Sequence, residues 1–468
     1  MCSTSRSRLR KAGRVGQFHT AQRLDMLRLV AATQPRFQFQ TRRQKIRWSF
    51  PRIGALVWPT MLATPERIHA AARSPGLEEL LPRWREFPLY QNLPVALELS
   101  ELPIITKREL ALNFPHNFLR PGQNLEALLA EKQVELEYTS GTSDERTPVL
   151  FGRGWWNEQE ARVLRLNPLV AQVLDEKPAA RRATLTPPVC NGLVCFSNWH
   201  SQSARTVENT LFVNLARIPF VLGEKEFARM AGEISAWSPQ FLDLDPVHGA
   251  WFALYCERNG IRFPSVRFNL CSYEFVSVVH RRIIERVFGV PVFNFYGSTE
   301  AGHLLMENER GEMMPSHENA FYEIVAPDER GIGDLIVTTW TNEFMPLLRY
   351  RTGDLAQRGG PPQAPHYRIH GRARDGWLRR DGRRVTTLEM DQCFQGIAGI
   401  AHYYLRQIGP DAGQLQYVPD RVAPGAAELA LVTARLEELL ELSHQLVVEP
   451  VKMLPPLASG KFRLTQGL

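Results

Sequence analysis

Apolar residues fall at helical spacing in PERIHAAARSPGLEELLPRWREF (65–87), where Ser74-Pro75-Gly76 interrupts them, and again in NLEALLAEKQ (124–133) and VVHRRIIERVFG (278–289). Each stretch predicts an amphipathic helix, the first of them broken. Elsewhere the period drops to two. VELEY (134–138) alternates like a strand and runs into TSGTSDERTP (139–148), a turn rich in hydroxyls. VPVFNFY (290–296) reads as a largely buried strand entering the loop GSTEAG (297–302). GDLIVTTW (333–340) reads as another strand, and MPLLRYRTGDLA (345–356) as one that closes on a Gly-Asp turn. Helices alternating with apolar strands over some 300 residues predict an α/β body with a parallel sheet.

From GRARDGWLRRDGRRV (371–385), a polar and glycine-punctuated passage of the kind that joins domains, the texture changes. Short strands follow at HYYLRQI, QLQYV and LVVEPVKML, with one helix over 429–446 and a tail, LPPLASGKFRL. The division expected is a basic extension (1–50), a large N-terminal domain (51–370) and a small α+β lid (371–468).

Composition narrows the class. With 44% hydrophobic and 22% charged residues among 468, the chain is an ordinary globular one. Its net charge of +7 is misleading, because twelve Arg and Lys lie in residues 1–50 against the single acid Asp25. The rest carries 44 positive and 48 negative side chains, so the body has no basic footprint for nucleic acid, and none is expected as a partner. The head is compatible with a basic arm for nucleic acid or anionic lipid, a transit-like segment or an unstructured extension. No run of about 18 apolar residues spans a bilayer, and no secretory signal pattern is present. Six cysteines (Cys2, Cys190, Cys195, Cys256, Cys271, Cys393) form no CxxC pair, which points to a reducing, cytoplasmic setting. Cys190 and Cys195 lack the second pair that a zinc site needs.

Several chemistries lose their usual signals, since there is no GxxxxGK[ST], GxGxxG, HExxH or GxSxG. Five polar loops remain. In TSGTS, the hydroxyls of Thr139, Ser140, Thr142 and Ser143 around Gly141 form either a phosphate nest or a solvated hairpin tip. In YGSTEAG, Tyr296 and Gly297 precede a turn where Thr299 offers a hydroxyl and Glu300 a hard oxygen ligand suited to magnesium. Asp354 in RYRTGDL is either a ribose-binding carboxylate or an Asx-type turn residue. Lys461, beside Gly460, is a point charge on a flexible stem, able to reach a phosphate and a carboxylate together or simply to be solvated. His303 and His317, with no cysteine ligands near them, read as packed or surface histidines rather than metal ligands.

The order of these loops is more specific than any one of them. YTSGTS, FYGSTEAG, RYRTGDL, GRARDGWLRRDGRRV and LPPLASGK resemble, in sequence and spacing, the adenylate-forming superfamily of acyl-CoA ligases, nonribosomal adenylation domains and luciferase. LPIITKREL (102–110), CSYE (271–274) and MPLLRYRTGDL look nearest to its phenylacetate-CoA ligase branch. Resemblance covers roughly residues 100–468. It departs at Asp144, Glu145 and Arg146, which lengthen the first loop, at Val149, where a lysine often stands, and at Arg374, which displaces the hinge acid to Asp375.

The resemblance implies a large N-terminal domain with mixed and parallel sheets, a mobile C-terminal one, and two half-reactions: a carboxylic acid attacks ATP to give an acyl adenylate, and a thiol then displaces AMP. It implies that Thr139, Ser140, Gly141, Thr142 and Ser143 hold the β- and γ-phosphates, Thr299 the AMP phosphate, and Glu300 magnesium. Asp354 with Arg372 would hold the ribose, Ser272, Tyr273, Glu274 and Tyr296 would line the adenine and acyl side, and Gly297 would belong to the cofactor-binding turn. Lys461 would bridge carboxylate and α-phosphate, and Asp375 would be the hinge. The expected function is a ligase joining a small acid, by this resemblance an aryl one, to CoA or to the phosphopantetheine of an acyl carrier protein. The alternatives are an adenylyltransferase that stops at acyl-AMP and a non-catalytic nucleotide-binding protein of the same fold.

Overall fold

The computed structural model describes residues 75–94, 98–139, 147–186, 201–214, 219–457 and 459–468. The basic head, the predicted helix before Ser74, Cys2, Cys190, Cys195, and Ser140 to Ser143 of the first polar loop lie outside the described residues.

Three short helices come first: α1 (Leu77–Trp84), α2 (Lys107–Ala111) and α3 (Leu125–Ala130). Side-chain caps start the last two. Thr106 accepts from the Arg108 N–H in a capping box with Glu109, and Asn124 accepts from the Ala127 N–H. Next, β1 (Val134–Tyr138) and β2 (Pro148–Gly152) pair antiparallel across the first polar loop.

The large sheet begins after α4 (Trp155–Leu164) and α5 (Pro168–Glu176). Its first part comprises β3 (Arg182–Leu185), β4 (Thr206–Val207), β5 (Thr210–Phe212), α6 (Glu224–Trp237), β6 (Phe241–Leu244), α7 (Pro246–Arg258), β7 (Phe268–Cys271), α8 (Val278–Phe288) and β8 (Val292–Ser298). Its second part is made only of strands: β9 (Gly302–Glu307), β10 (Met313–Pro315), β11 (Ala320–Val325), β12 (Ile332–Thr339), β13 (Leu347–Gly359) and β14 (His366–Arg372). Together they form one twelve-stranded sheet in the order β11-β12-β13-β14-β10-β9-β8-β7-β6-β3-β5-β4. Neighbours among β5, β3, β6, β7 and β8 pair parallel. From β8 to β11 the pairing is antiparallel, so the large domain carries the mixed and parallel sheet expected of it, the helix–strand alternation accounting for the parallel half. Connection length accounts for this: helices join β5 to β6, β6 to β7 and β7 to β8, whereas beyond β8 the links between successive strands are too short for a crossover.

Two local readings change as well. The Gly-Asp pair at 353–354 is not a turn that ends a strand. β13 runs through it for 13 residues, with Gly353 at φ +82° and a register shift between Leu355 and Ala356 that redirects the strand without ending it. Residues 371–385, read as a joining passage, form the end of β14, a 3₁₀ turn (Ala373–Asp375) and the hairpin of β15 (Trp377–Leu378) and β16 (Arg384–Val385).

The C-terminal lobe continues with α9 (Thr387–Gln392), β17 (Ile400–Gly409), β18 (Ala412–Pro419), α10 (Ala426–Leu440), β19 (Val447–Pro450) and β20 (Thr465–Gln466), its four strands ordered β19-β18-β17-β20. It shares an apolar cluster with the parallel half of the large sheet. Val279, Ile283, Ile284 and Val287 of α8 belong to the same buried group as Phe394, Ile400 and Tyr403. Polar contacts fix the register of this junction. Asp391 of α9 accepts from Ser277 Oγ and from the Val278 N–H at 2.9 Å, capping α8 from outside its own segment, and Tyr403 Oη donates to it at 2.8 Å. Further along α8, His280 Nε2 meets His402 Nδ1 at 3.0 Å, Arg282 donates to the Ile400 carbonyl at 2.8 Å, and Arg286 pairs with Asp420 at 2.9 Å.

Burial pushes the Asp391 carboxyl from 3.8 up to about 6, against the opposing pull of its three donors. A raised carboxyl contributes stability below its unfolded pKa and loses it as pH rises through the folded one. Stability of the wild type relative to Asp391→Asn should therefore fall by roughly 3 kcal/mol between pH 4 and pH 7 and stay flat above. Chemical denaturation of both proteins across that range checks this; a difference independent of pH would contradict it.

Candidate active site

The turn between β8 and β9 is built on two glycines that nothing else can replace. A Cβ on Gly297 would lie 2.4 Å from the Gly302 carbonyl oxygen, and Gly302 itself has φ +74° with Trp155 only 2.7 Å from where its Cβ would be. This close approach of strands turns Glu300 inward while Thr299 stays partly exposed. Glu300 is 3% exposed, and its Oε1 is held by Lys107 Nζ at 2.7 Å and by Tyr350 Oη at 3.0 Å. Burial alone would raise this carboxyl. The Lys107 ammonium, with help from Tyr350, outweighs it and keeps the group below the usual carboxylate range.

Next to it, Asp354 and Arg372 are direct cross-strand partners of β13 and β14. Arg372 Nε lies 3.2 Å from Asp354 Oδ1, while Tyr296 Oη donates to Asp354 Oδ2 at 2.7 Å. A second guanidinium nitrogen of Arg372 donates to the Thr352 carbonyl at 2.7 Å, which fixes its plane. The structure thus brings Tyr296, Glu300, Asp354 and Arg372 into one cluster, and adds Lys107 and Tyr350 to it.

A second cluster forms where β7 ends. Tyr273 has φ +74°, a left-handed conformation that costs a non-glycine residue about 1–3 kcal/mol and persists only where the surroundings enforce it. Here they do. Ser272 Oγ donates to Asp243 Oδ1 at 2.9 Å and Tyr273 Oη to Oδ2 at 3.4 Å, while the Tyr273 carbonyl accepts from Lys461 Nζ at 2.6 Å. The Phe462 N–H donates to Glu274 Oε1 at 2.7 Å. Enclosure beside Asp245 raises the Glu274 carboxyl well above its ordinary range, with Lys461 pulling the other way. Phe462 itself sits edge-on to Phe220, His248 and His402, with ring centroids 5.4–6.0 Å away, so the residue after Lys461 is clamped between both halves of the molecule. Asp375, the sequence's hinge candidate, pairs with Arg463 at 3.2 Å, and its carbonyl accepts from Thr465. The tail that carries Lys461 is in this way tied to the turn that follows Arg372.

Of the first polar loop, Thr139 is buried and its Oγ1 accepts from the Thr147 N–H at 3.1 Å, closing the base of the hairpin. His303 packs its ring against Phe295 and Trp156, and His317 lies edge-on to Tyr322. Among the described residues no group of three or more His, Cys, Asp or Glu could hold a metal by itself. Cys256, Cys271 and Cys393 are buried free thiols.

Sequence reasoning missed Lys107, Tyr350, Asp243 and Phe462. Lys107 and Tyr350 stand inside LPIITKREL and RYRTGDL, segments already singled out, but nothing local says that either side chain reaches Glu300. Asp243 had one signal available, its place at the carboxyl end of a parallel strand, where α/β sheets put their ligands.

No family model matches this chain, and no curated protein does. Solved structures do. One is 2-hydroxyisobutyryl-CoA ligase in the postadenylation state with R3-HIB-AMP, at 16% identity and TM-score 0.59 over 85% of this chain and 90% of that one. The same ligase with 2-HIB-AMP matches at 16% identity and TM-score 0.57 over 82% and 86%. At this identity the likeness speaks for architecture: the chain has the α/β fold of a CoA ligase that is seen holding an acyl adenylate, with a large mixed-sheet body and a small C-terminal lobe.

Proposed function

We propose that this chain is an ATP-dependent acid:thiol ligase that forms an acyl adenylate and then a thioester. What supports the reading above all is that Lys461, from the last residues of the chain, reaches the Tyr273 carbonyl while Arg463 ties the same tail to Asp375, in the turn after Arg372 of the cluster that joins Asp354, Arg372, Tyr296 and Glu300 from three other segments. In the first half-reaction an oxygen of the carboxylate bonds to the α-phosphorus of ATP and pyrophosphate leaves. In the second, a thiol sulfur bonds to the acyl carbon and AMP leaves. Two anions must meet in the first step, so the protein's task is to position them and neutralise their charge. Lys461 does this with an ammonium at the junction of carboxylate and α-phosphate. Asp354, its acceptor geometry fixed by Tyr296 and Arg372, takes the ribose hydroxyls, Thr299 takes the AMP phosphate, and the Thr139–Ser143 loop takes the outer phosphates.

The donor set near Glu300 fits magnesium, a hard cation that binds through one or two carboxylates together with substrate phosphates. When bound, magnesium withdraws charge from the phosphates. Glu300 would be its protein ligand, and Lys107 keeps that carboxylate neutralised otherwise. After adenylation the C-terminal lobe turns about Asp375 and withdraws Lys461, opening room for a thiol of CoA or of a carrier-protein phosphopantetheine. The acid is read as aromatic, from the resemblance to the phenylacetate-CoA ligase branch. The cysteine pattern, with Cys256, Cys271 and Cys393 as free thiols, supports a reducing, cytoplasmic setting for this reading.

ATP–pyrophosphate exchange over a panel of aryl and aliphatic acids, followed by AMP and thioester detection with CoA and with a carrier protein, tests the reading as a whole. Within it, Lys461→Ala should slow adenylation by about a hundredfold or more while leaving thioester formation from pre-made acyl adenylate nearly intact. Equal loss in both steps would remove Lys461 from its role. Glu300→Gln should raise the magnesium concentration needed for half-maximal exchange by about tenfold with little change in Tm, and an unshifted magnesium titration excludes Glu300 as the ligand.

A further inference from the structure

Strand β13 carries a bulge just before Tyr350. Val337 pairs with Tyr350 and Thr339 with Leu347, so Leu348 and Arg349 together lie opposite the single residue Thr338. A bulge bends its strand and re-aims the side chains beyond it, and the next residue here is Tyr350, whose hydroxyl donates to Glu300. The bulge is strained. Arg349 has φ +43°, a left-handed conformation that a long side chain keeps only where its surroundings impose it.

Those surroundings are a dense set of hydrogen bonds. The Arg349 N–H donates to Thr338 Oγ1 at 2.9 Å. Arg349 is 7% exposed, and its guanidinium reaches past β12 to grip Glu323 on β11, with Nε at 3.1 Å and Nη2 at 2.9 Å from the two carboxylate oxygens. Nη1 donates to the carbonyl of Ser100 at 2.7 Å and to that of Leu102. At the backbone, the Ile105 N–H donates to the Arg349 carbonyl at 3.1 Å and the Arg351 N–H to the Ile105 carbonyl at 2.9 Å. Arg349 is thus tied by side chain and main chain to residues 100–105, the stretch that leads into Thr106 and Lys107 at the start of α2. Lys107 and Tyr350 are the partners of Glu300 Oε1, and one arginine holds the approaches to both.

We infer that Glu323 and Arg349 form a positioning pair for the Glu300 site, holding residues 100–107 and Tyr350 where Lys107 and Tyr350 can fix the Glu300 carboxylate. Carbonyl bonds alone would not orient a buried guanidinium, since its charge needs an anion and its plane needs the fork that a carboxylate offers. Glu323, two strands away from Tyr350, therefore acts on the site through Arg349. The positioning belongs to the free chain; its consequence, that Glu323 sets how tightly ATP is held, rests on the ligase reading.

The test uses the full chain. Hydrogen exchange without ligand follows the amides of residues 103–110, calorimetry with ATP and excess magnesium gives Kd, and Tm reports folding. Glu323→Gln should speed exchange over 103–110 by about tenfold while leaving α10 unchanged, and should weaken ATP binding by about tenfold. Arg349→Lys, which keeps the charge but loses the fork, should do the same, and it serves if Glu323→Gln does not fold. Glu323→Asp, which keeps the carboxylate, should recover most of both effects. Lys107→Ala should weaken ATP binding to a similar degree, and adding Glu323→Gln to it should bring less than about a further twofold, because both act through one contact. A purely structural ion pair would instead lower Tm, loosen the chain without preference for 103–110, and multiply with Lys107→Ala; any of the last two results, or no loosening at all, overturns the inference. Local loosening in a chain that binds no ATP supports the pair and strikes the ligase reading, whereas ATP binding indifferent to Glu323 strikes the pair alone.

Discussion

The arrangement depends on the seating of one ammonium ion. Lys461 Nζ reaches the Tyr273 carbonyl at 2.6 Å only because the C-terminal lobe is docked on α8, and that docking is held by groups of opposite character. An apolar cluster running from Val279 to Tyr403 supplies contact area, and Asp391 at the N-terminus of α8, His280 against His402 and Arg286 against Asp420 supply register. Apolar packing is tolerant of sliding, and hydrogen bonds are not. The polar set therefore determines where Lys461 comes to rest. Phe462, one residue on, carries that register into the site through its edge-on contacts with Phe220, His248 and His402 and its N–H bond to Glu274.

The same economy appears on the other side of the site. Glu300 is a carboxylate in a buried place and needs a compensating charge, which Lys107 brings from a helix nearly 200 residues earlier in the chain. Asp354 is held in the same way between Tyr296 and Arg372. These contacts keep the Glu300 carboxylate ionised and hold both carboxylates in fixed orientations, which is the preorganisation the proposed ligase reaction would call for.

Much of this was legible in the amino-acid order, for reasons particular to each element. α8 and β8 were readable because their apolar periods, 3.6 and near-continuous, match one-sided and two-sided burial. The polar loops were readable jointly, by their order, though each was ambiguous alone. What escaped depends on tertiary approach. Gly353-Asp354 has the local chemistry of a turn, but β12 and β14 on either side keep β13 extended through it. Asp243 sits in FLDLD, which alternates like any strand, so its pairing with Ser272 and Tyr273 from β7's end is invisible until the strands are placed side by side. Lys107 in ITKREL reads as a solvated first turn of a helix, and only the fold aims it at Glu300.

The most direct measurement is a crystal structure of the full chain soaked with AMP. The account predicts that the ribose hydroxyls lie within hydrogen-bond reach of Asp354, with the phosphate between Thr299 and the Lys461 ammonium. AMP bound at another place, or bound here with Lys461 turned away from the phosphate in every crystal form, contradicts it.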